Sequence, residues 1–370
     1  DQSFWWYKSY AGNNIDEQSS GAYIFRPNGQ PHQINDKPKY KQFTGPIVDE
    51  IHQVFNDWVS QVIRTYHETN YVEYDWLIGP IPISDNKGKE IISTYTVDSI
   101  ASDDKFYTDS NGRETLLRVR DQRPTFNISL KEPVAGNYYP ITTRIMIKDD
   151  VKQFSVITDR AQGGSSIQNG QIELMLHRRI LHDDNFGVSE PLNETAFGEG
   201  LVVRGSHYIT SGNPLNQTAL DRLLIQEKVL AAWTFLTPTA KTIEDWKNEY
   251  NMEFSALKKD LPKNIQVMTL EPWSDNSYFL RVEHIMEKDD DTDMSKSVVL
   301  NLKDIFQPFK ITSIQETTLG GNVLLKNMKR LKWNKESNVT SDMIENDNVE
   351  LPNIKLKVME IRSFIVTIEY

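Results

Sequence analysis

The sequence predicts a mainly β protein, in which a large β-sandwich is followed by a smaller one and helices are few and short. Three observations predict it. Short runs rich in Val, Ile, Tyr and Thr recur between clusters of Gly, Pro, Asn and Asp, the pattern of strands separated by turns. Several runs alternate apolar and polar residues with a period of two, as a strand with one buried face requires. The chain of 370 residues exceeds the usual size of one domain and changes character after about Ser211. Two domains are therefore expected, residues 1–235 and 236–370.

Residues 71–83, 91–97, 142–147, 154–158 and 172–181 fit strands of the first domain, and their regular spacing favours a sandwich. Residues 47–67 fit two patterns, since Val48, Ile51, Phe55, Trp58 and Val62 make a helical stripe while Trp58, Ser60, Val62, Arg64 and Tyr66 alternate. The β-branched content decides for strands. Residues 218–230 allow a short helix or a wrapped loop. Residues 242–258 read as an amphipathic helix, with Ile243, Trp246, Tyr250, Phe254 and Leu257 on one stripe and Pro262 as its stop. Residues 265–270, 277–284, 297–302 and 354–370 then return to strands. The acidic run at 287–293 reads as a charged hairpin tip, because the glycine of a calcium loop is absent. Asp103-Asp104 and Asp149-Asp150 read as hairpin ends.

Composition excludes several classes of function. A formal net charge of −11 argues against a nucleic-acid partner, which needs an excess of Lys and Arg on one face. The simplest reading is a solvated acidic surface, compatible with an acidic lumen. There is no cysteine, hence no disulfide and no thiolate metal site. No apolar run approaches the ~20 residues of a membrane span. Sequons begin at Asn127, Asn193, Asn216 and Asn338 and point to a secretory route if they carry glycan.

Residues 158–191 concentrate the most information. Gly163 and Gly164 with Ser165 and Ser166 make a tight turn, and no lysine follows to make it a phosphate loop. A strand follows, in which Ile172, Leu174 and Leu176 alternate with Glu173, Met175 and His177. His177, Arg178 and Arg179 then meet Asp183 and Asp184, charges that must pair or face a polar pocket. Adjacent strand residues point to opposite faces, so at most one arginine faces a pocket. The other should cover the surface or pair with Asp183 or Asp184. His177 and His182 lack metal-ligand spacing, and no carboxylate pair identifies itself as an acid and base.

Five motifs in order, SGAYIFRPN from Ser20, WLIGPIP from Trp76, KFYTDSNGRE from Lys105, EPVAGNYYPITTRI from Glu132 and the 158–191 block, resemble glycoside hydrolase family 38, the α-mannosidases, and most closely their lysosomal members. The resemblance covers the first half of the chain well, and the last fifteen residues look like the usual carboxyl end of the family. It implies a supersandwich-like first domain that contributes to the wall of a sugar pocket. It also implies an amino-terminal partner chain of the same precursor, carrying the catalytic aspartate and a zinc ion, with no metal bound by this chain. Mannose-containing oligosaccharides would be the substrate, a homodimer is allowed, and the setting would be lysosomal or secreted.

Two positions carry that implication. Tyr23, read alone, is a half-buried strand residue; the resemblance implies that it reaches into the sugar pocket, where a phenol can hydrogen-bond a hydroxyl. At Asp183-Asp184-Asn185-Phe186-Gly187 the family commonly has Asp-Asp-x-Arg-Gly, so Phe186 stands where a guanidinium would sit and Asp184 lies beside it. A ring stacks on a sugar face but replaces no charged hydrogen bond, a loss of about 1–3 kcal/mol. The alternative expectation is therefore a catalytically weakened, mannosidase-like protein that binds glycans or serves in storage or secretion.

Overall fold

The computed structural model describes residues 1–14, 17–329 and 350–370. The chain divides into two compact units, residues 1–231 and 232–370. Unit one is a sandwich of two antiparallel sheets. The six-stranded sheet runs, in spatial order, Tyr139–Ile141, Gln162–Ser165, Gln171–Arg179, Lys89–Thr96, Gln2–Lys8 and His32–Gln33. Opposite it lies a nine-stranded sheet that includes Lys105–Ser110, Arg144–Lys148, Gln153–Thr158, Val203–Gly212 and Val72–Ile78. Residues 47–67 are strands, the hairpin of Val48–Asn56 and Val59–Tyr66, with Phe55 and Val59 in the core.

The period of two works as expected on the inner faces. Phe4, Ile91, Ile172 and Leu174 of the six-stranded sheet meet Trp76, Ile78, Ile145 and Val156 of the other in two contiguous apolar clusters. Each such side chain leaving water stabilises the sandwich by about 1.5–3 kcal/mol. His207 also points into this interior. Its Nδ1 lies 2.8 Å from the Tyr95 hydroxyl and its Nε2 2.8 Å from Gln162 Oε1. Burial pushes the imidazole down to about 3, so it stays neutral and serves as a polar strut between the sheets.

The outer face of the six-stranded sheet departs from simple alternation. Trp5, Tyr7, Glu90, Thr94, Glu173 and Arg178 lie there, with Tyr7 opposite Glu90, Glu173 opposite Thr94, and Arg178 opposite Glu90. An irregularity between Met175 and His177 shifts the register and brings Arg178 onto the same face as Glu173. Glu173 is only 3% exposed. Tyr7 donates its hydroxyl to Glu173 Oε1 at 3.1 Å, and Tyr138 donates a short bond to the same oxygen. Desolvation outweighs both phenols and pushes the carboxyl up to about 7.

Two local expectations are corrected here and one holds. The helix near 218–230 begins earlier and spans Pro214–Val229, capped by Asn213, whose side chain accepts from the Leu215 amide at 3.0 Å, with Pro214 at the first helical position. It lacks an apolar stripe because it docks through polar groups. Asp221 is fully buried and accepts from Thr210 Oγ1 at 2.6 Å, Gln217 Nε2 at 2.8 Å and Gln153 Nε2 at 3.2 Å, with Arg144 Nη1 at 3.5 Å. Asp103-Asp104 is no hairpin end, since it links Lys89–Thr96 to Lys105–Ser110 in the opposite sheet; Asp104 pairs with Arg120. Asp149-Asp150 does close a hairpin, and Asp149 Oδ1 accepts from the Val151 and Lys152 amides at 2.8 Å.

Unit two is the smaller sandwich. A four-stranded sheet of Ile265–Ser274, Ser277–His284, Ile361–Glu369 and Lys310–Thr317 packs on the pair Val298–Asn301 and Asn353–Leu356. Leu280, Val282, Phe364, Leu300, Ile354 and Leu356 form the core between them. The amphipathic helix expected over 242–258 shrinks to Ile243–Glu249 with no buried residue, because so short a helix gains little without a packed stripe. The acidic run at 287–293 is a loop between the two sheets rather than a hairpin tip. Its carboxylates cap backbone amides, Asp290 for Glu287 and Asp291 for Asp293 and Met294, each at 2.8 Å. No helix among the described residues is long and apolar enough to cross a membrane.

Two predictions follow from the buried polar groups of unit one. Asp221→Ala removes the carboxylate that joins helix to sheet and should lower unfolding free energy by about 3–5 kcal/mol in urea titrations. Glu173 holds its proton more tightly folded, at about 7, than unfolded, near 4.5. Its contribution is complete below pH 4.5 and is lost as pH rises through 7. Relative to wild type, Glu173→Gln should therefore gain about 3 kcal/mol in stability between pH 4 and pH 8. His207 works with the opposite sign, its contribution being lost as pH falls from 6.5 towards 3. Comparing variant with wild type at each pH cancels it.

Candidate functional site

Asp184 organises the loop that follows the Gln171–Arg179 strand. It is fully buried, and its Oδ2 accepts from the Tyr23 amide at 2.6 Å and the Ile24 amide at 3.2 Å, while Oδ1 accepts from the Phe186 amide at 3.1 Å. One carboxylate therefore ties two loops that are far apart in sequence. A Cβ on Gly21 would stand 2.4 Å from the Asp184 side chain, so the residue there has to be glycine for the loops to approach. Asp184 is an anchor rather than a group that faces a ligand.

What the anchor presents is a pair of aromatic side chains. Tyr23 is 70% exposed and Phe186 55% exposed, although their amides are held beneath them. Tyr23 is thus no half-buried strand residue: it sits on a bend, and a phenol displayed on a fixed backbone suits recognition better than packing. Further exposed apolar residues, Val188, Phe197, Leu201 and Val202, follow Phe186 in the chain.

Arg178 secures the Tyr23 loop from below. Its Nη2 donates to the Ile24 carbonyl at 2.8 Å, to Ser20 Oγ at 3.1 Å and to Glu90 Oε1 at 2.7 Å, and its Nε donates to Glu90 Oε1 at 2.9 Å. Ser20 Oγ donates to the same Glu90 oxygen at 2.6 Å. Burial pushes the Glu90 carboxyl up, against the pull of the Arg178 guanidinium and the Ser20 hydroxyl. The loop carrying Tyr23 is held by its amides on Asp184 and by a carbonyl on Arg178.

Arg179 points the other way, as adjacent strand residues must. Its Nε donates to Asn193 Oδ1 at 2.7 Å and its Nη1 to the Ile81 carbonyl at 2.7 Å. Neither arginine pairs with Asp183 or Asp184, which was one of the two alternatives left open for them. The reason is geometric: Glu90 lies opposite Arg178 on the neighbouring strand, while Asp184 is taken by loop amides. His177 places Nε2 3.3 Å from the Leu201 carbonyl.

Sequence reasoning missed Glu90, Glu173 and the phenols of Tyr7 and Tyr138. A glutamate beside Ile and Leu is the signal, and alternation alone assigns such a residue to solvent. Among the described residues no cluster of three or more His, Asp or Glu could hold a metal ion. Of the sequons, Asn127 and Asn216 are exposed, Asn193 is half-buried with its Oδ1 on Arg179, and Asn338 lies outside the described residues.

The family profile "Glycosyl hydrolases family 38 C-terminal domain" matches residues 1–186, and "Glycosyl hydrolases family 38 C-terminal beta sandwich domain" matches residues 264–364. Lysosomal alpha-mannosidase of Homo sapiens is 42% identical over 372 residues, covering 100% of this chain and 36% of that protein. Alpha-mannosidase of Canavalia ensiformis is 38% identical over 388 residues, covering 99% of this chain and 38% of its own. The chain spans a little over a third of the length of these relatives. A solved alpha-mannosidase from Enterococcus faecalis V583 superposes with a TM-score of 0.61 over 98% of this chain and 38% of that one, at 11% identity, a likeness of fold alone. The chain, with two β units in the order those profiles require, belongs to glycoside hydrolase family 38 and corresponds to the carboxyl-terminal part of its lysosomal α-mannosidases.

Proposed function

We propose that this chain is the β portion of a retaining, zinc-dependent α-mannosidase that removes α-linked mannose from N-glycan oligosaccharides, and that it works only with the amino-terminal part of the same precursor. The observation that carries this reading is the Asp184 anchor, which holds the backbone amides of Tyr23 and Phe186, on loops distant in sequence, while both side chains stay exposed. The α-mannosidase names of the relatives support the substrate class.

The division of labour follows from chemistry. On this reading a zinc ion is held by donors in the amino-terminal part of the precursor, where it would supply Lewis-acid contact to sugar hydroxyls. This chain contributes a wall. Tyr23 offers a hydroxyl that donates or accepts and a ring face for the C–H groups of a pyranose, and Phe186 offers a ring face only. The exposed Phe186, Val188, Phe197, Leu201 and Val202 suit burial against the remaining polypeptide. Asp184 and Arg178 act through the loop as positioning residues. The lysosomal names of the mammalian relatives suit a lysosomal or secreted setting.

A second reading rests on Phe186, which replaces the donors of a guanidinium with hydrocarbon. It makes the protein a mannosidase-like glycan binder with weakened catalysis, for storage or secretion. The assay that separates the two uses the full-length protein and an aryl α-mannoside at about pH 4 to 6. Turnover that a chelator abolishes and zinc restores supports the enzyme; a folded, zinc-supplied protein that binds mannosides without turnover supports the binder. Under the first reading Tyr23→Phe loses one hydrogen bond to substrate and should lower kcat/KM about three- to tenfold. Phe186→Arg adds a charged donor and should raise it about tenfold or more. An unchanged kcat/KM in both variants would remove these loops from the sugar pocket.

A further inference from the structure

Above the outer face of the six-stranded sheet lies an open cleft of about 570 Å³, within the usual range for small-ligand sites. Trp5, Thr94, Gln171 and Glu173 come from the sheet, while Gln30 and Gln168 come from loops at its rim. Trp5 is half-buried and its side chain borders the cleft. The Gln171 amide donates to Thr96 Oγ1 at 3.0 Å and keeps its carbonyl oxygen for another partner.

Glu173 is what makes this more than a surface groove. A carboxyl kept from water at a cleft wall is costly unless something meets it. Here its partners are the phenols of Tyr7 and Tyr138, which orient it without supplying a positive charge. With its proton held to about pH 7, it offers both a donor and an acceptor in an acidic setting.

The lining selects a chemical class. The cation at the rim, Arg120, spends its donors on the carbonyls of Ser166 and Ile167 and on Asp104, which leaves an anion poorly served. Carboxamides, a hydroxyl and a carboxyl lining one cleft with an indole complement a molecule with hydroxyls around its edge and C–H groups on its face. We propose that this cleft is a binding site for a neutral pyranose, with Trp5 stacking on the sugar face and Gln171 and Glu173 meeting its hydroxyls. The assignment of a pyranose stands on the lining; the choice of mannose as probe rests on the proposed function.

Titration calorimetry of the full-length protein with a methyl thio-α-mannoside, whose sulfur link resists hydrolysis, tests the proposal. Wild type should bind one more equivalent of mannoside per chain than Trp5→Ala or Gln171→Ala, or bind that equivalent about tenfold more tightly. Equal stoichiometry and affinity in all three proteins overturns it, whether the cleft is empty or filled by the rest of the polypeptide. Should Trp5→Ala fail to fold, the partly exposed Gln171→Ala decides alone. Aryl-mannoside turnover by the same wild-type sample keeps the two readings apart. Turnover without the extra equivalent removes the cleft site and leaves the glycosidase, whereas the extra equivalent without turnover does the reverse.

Discussion

The Gln171–Arg179 strand buries side chains on both of its faces, and much of unit one is arranged around that constraint. Its inner face needs only apolar neighbours, which Ile172, Leu174 and Leu176 find in the sandwich core. Its outer face carries Glu173 and Arg178, which cannot be covered without partners. Tyr7 and Tyr138 supply them for the carboxyl, Glu90 and Ser20 for the guanidinium. The irregularity after Met175 lets both polar residues share one face, so the strand that closes the core also holds the outer loops.

From that face the order passes outward by hydrogen bonds. Arg178 holds the Ile24 carbonyl, Asp184 holds the Tyr23, Ile24 and Phe186 amides, and two aromatic side chains are left standing on rigid backbone. A displayed side chain keeps its geometry only when its own loop has no freedom to lose. The buried charges therefore have a role besides stability: they define where Tyr23 and Phe186 stand. The same logic explains why Asp184, beside the most exposed residues of the loop, is itself withdrawn from solvent.

The ionisation pattern suits acid conditions. Glu173 prefers its proton and His207 refuses one, so across the window from about pH 4.5 to 6.5 their contributions run in opposite directions and offset each other. Each of these two buried groups alone would make the fold pH-sensitive, and within that window each counters the other. The net negative surface adds no demand for a polyanionic partner.

The β class, the second sandwich and the strand expected at 172–181, which runs over Gln171–Arg179, were legible in the residues, because period-two alternation and turn chemistry are local properties of neighbours. The motifs around Tyr23 and Phe186 also carried the family. Tertiary structure alone decided the rest. Whether Arg178 meets Asp184 or Glu90 depends on which strand lies alongside, and Glu90 is 88 residues away in the chain. The helix over Pro214–Val229 hides from periodicity since its buried face is polar, satisfied by Arg144 and Gln153 on distant strands and by Thr210 on the strand just before it. Glu173 likewise reads as solvent-facing until a loop from another part of the chain brings Tyr138 over it. A buried polar group is legible only together with its partner, and the partner is chosen by the fold.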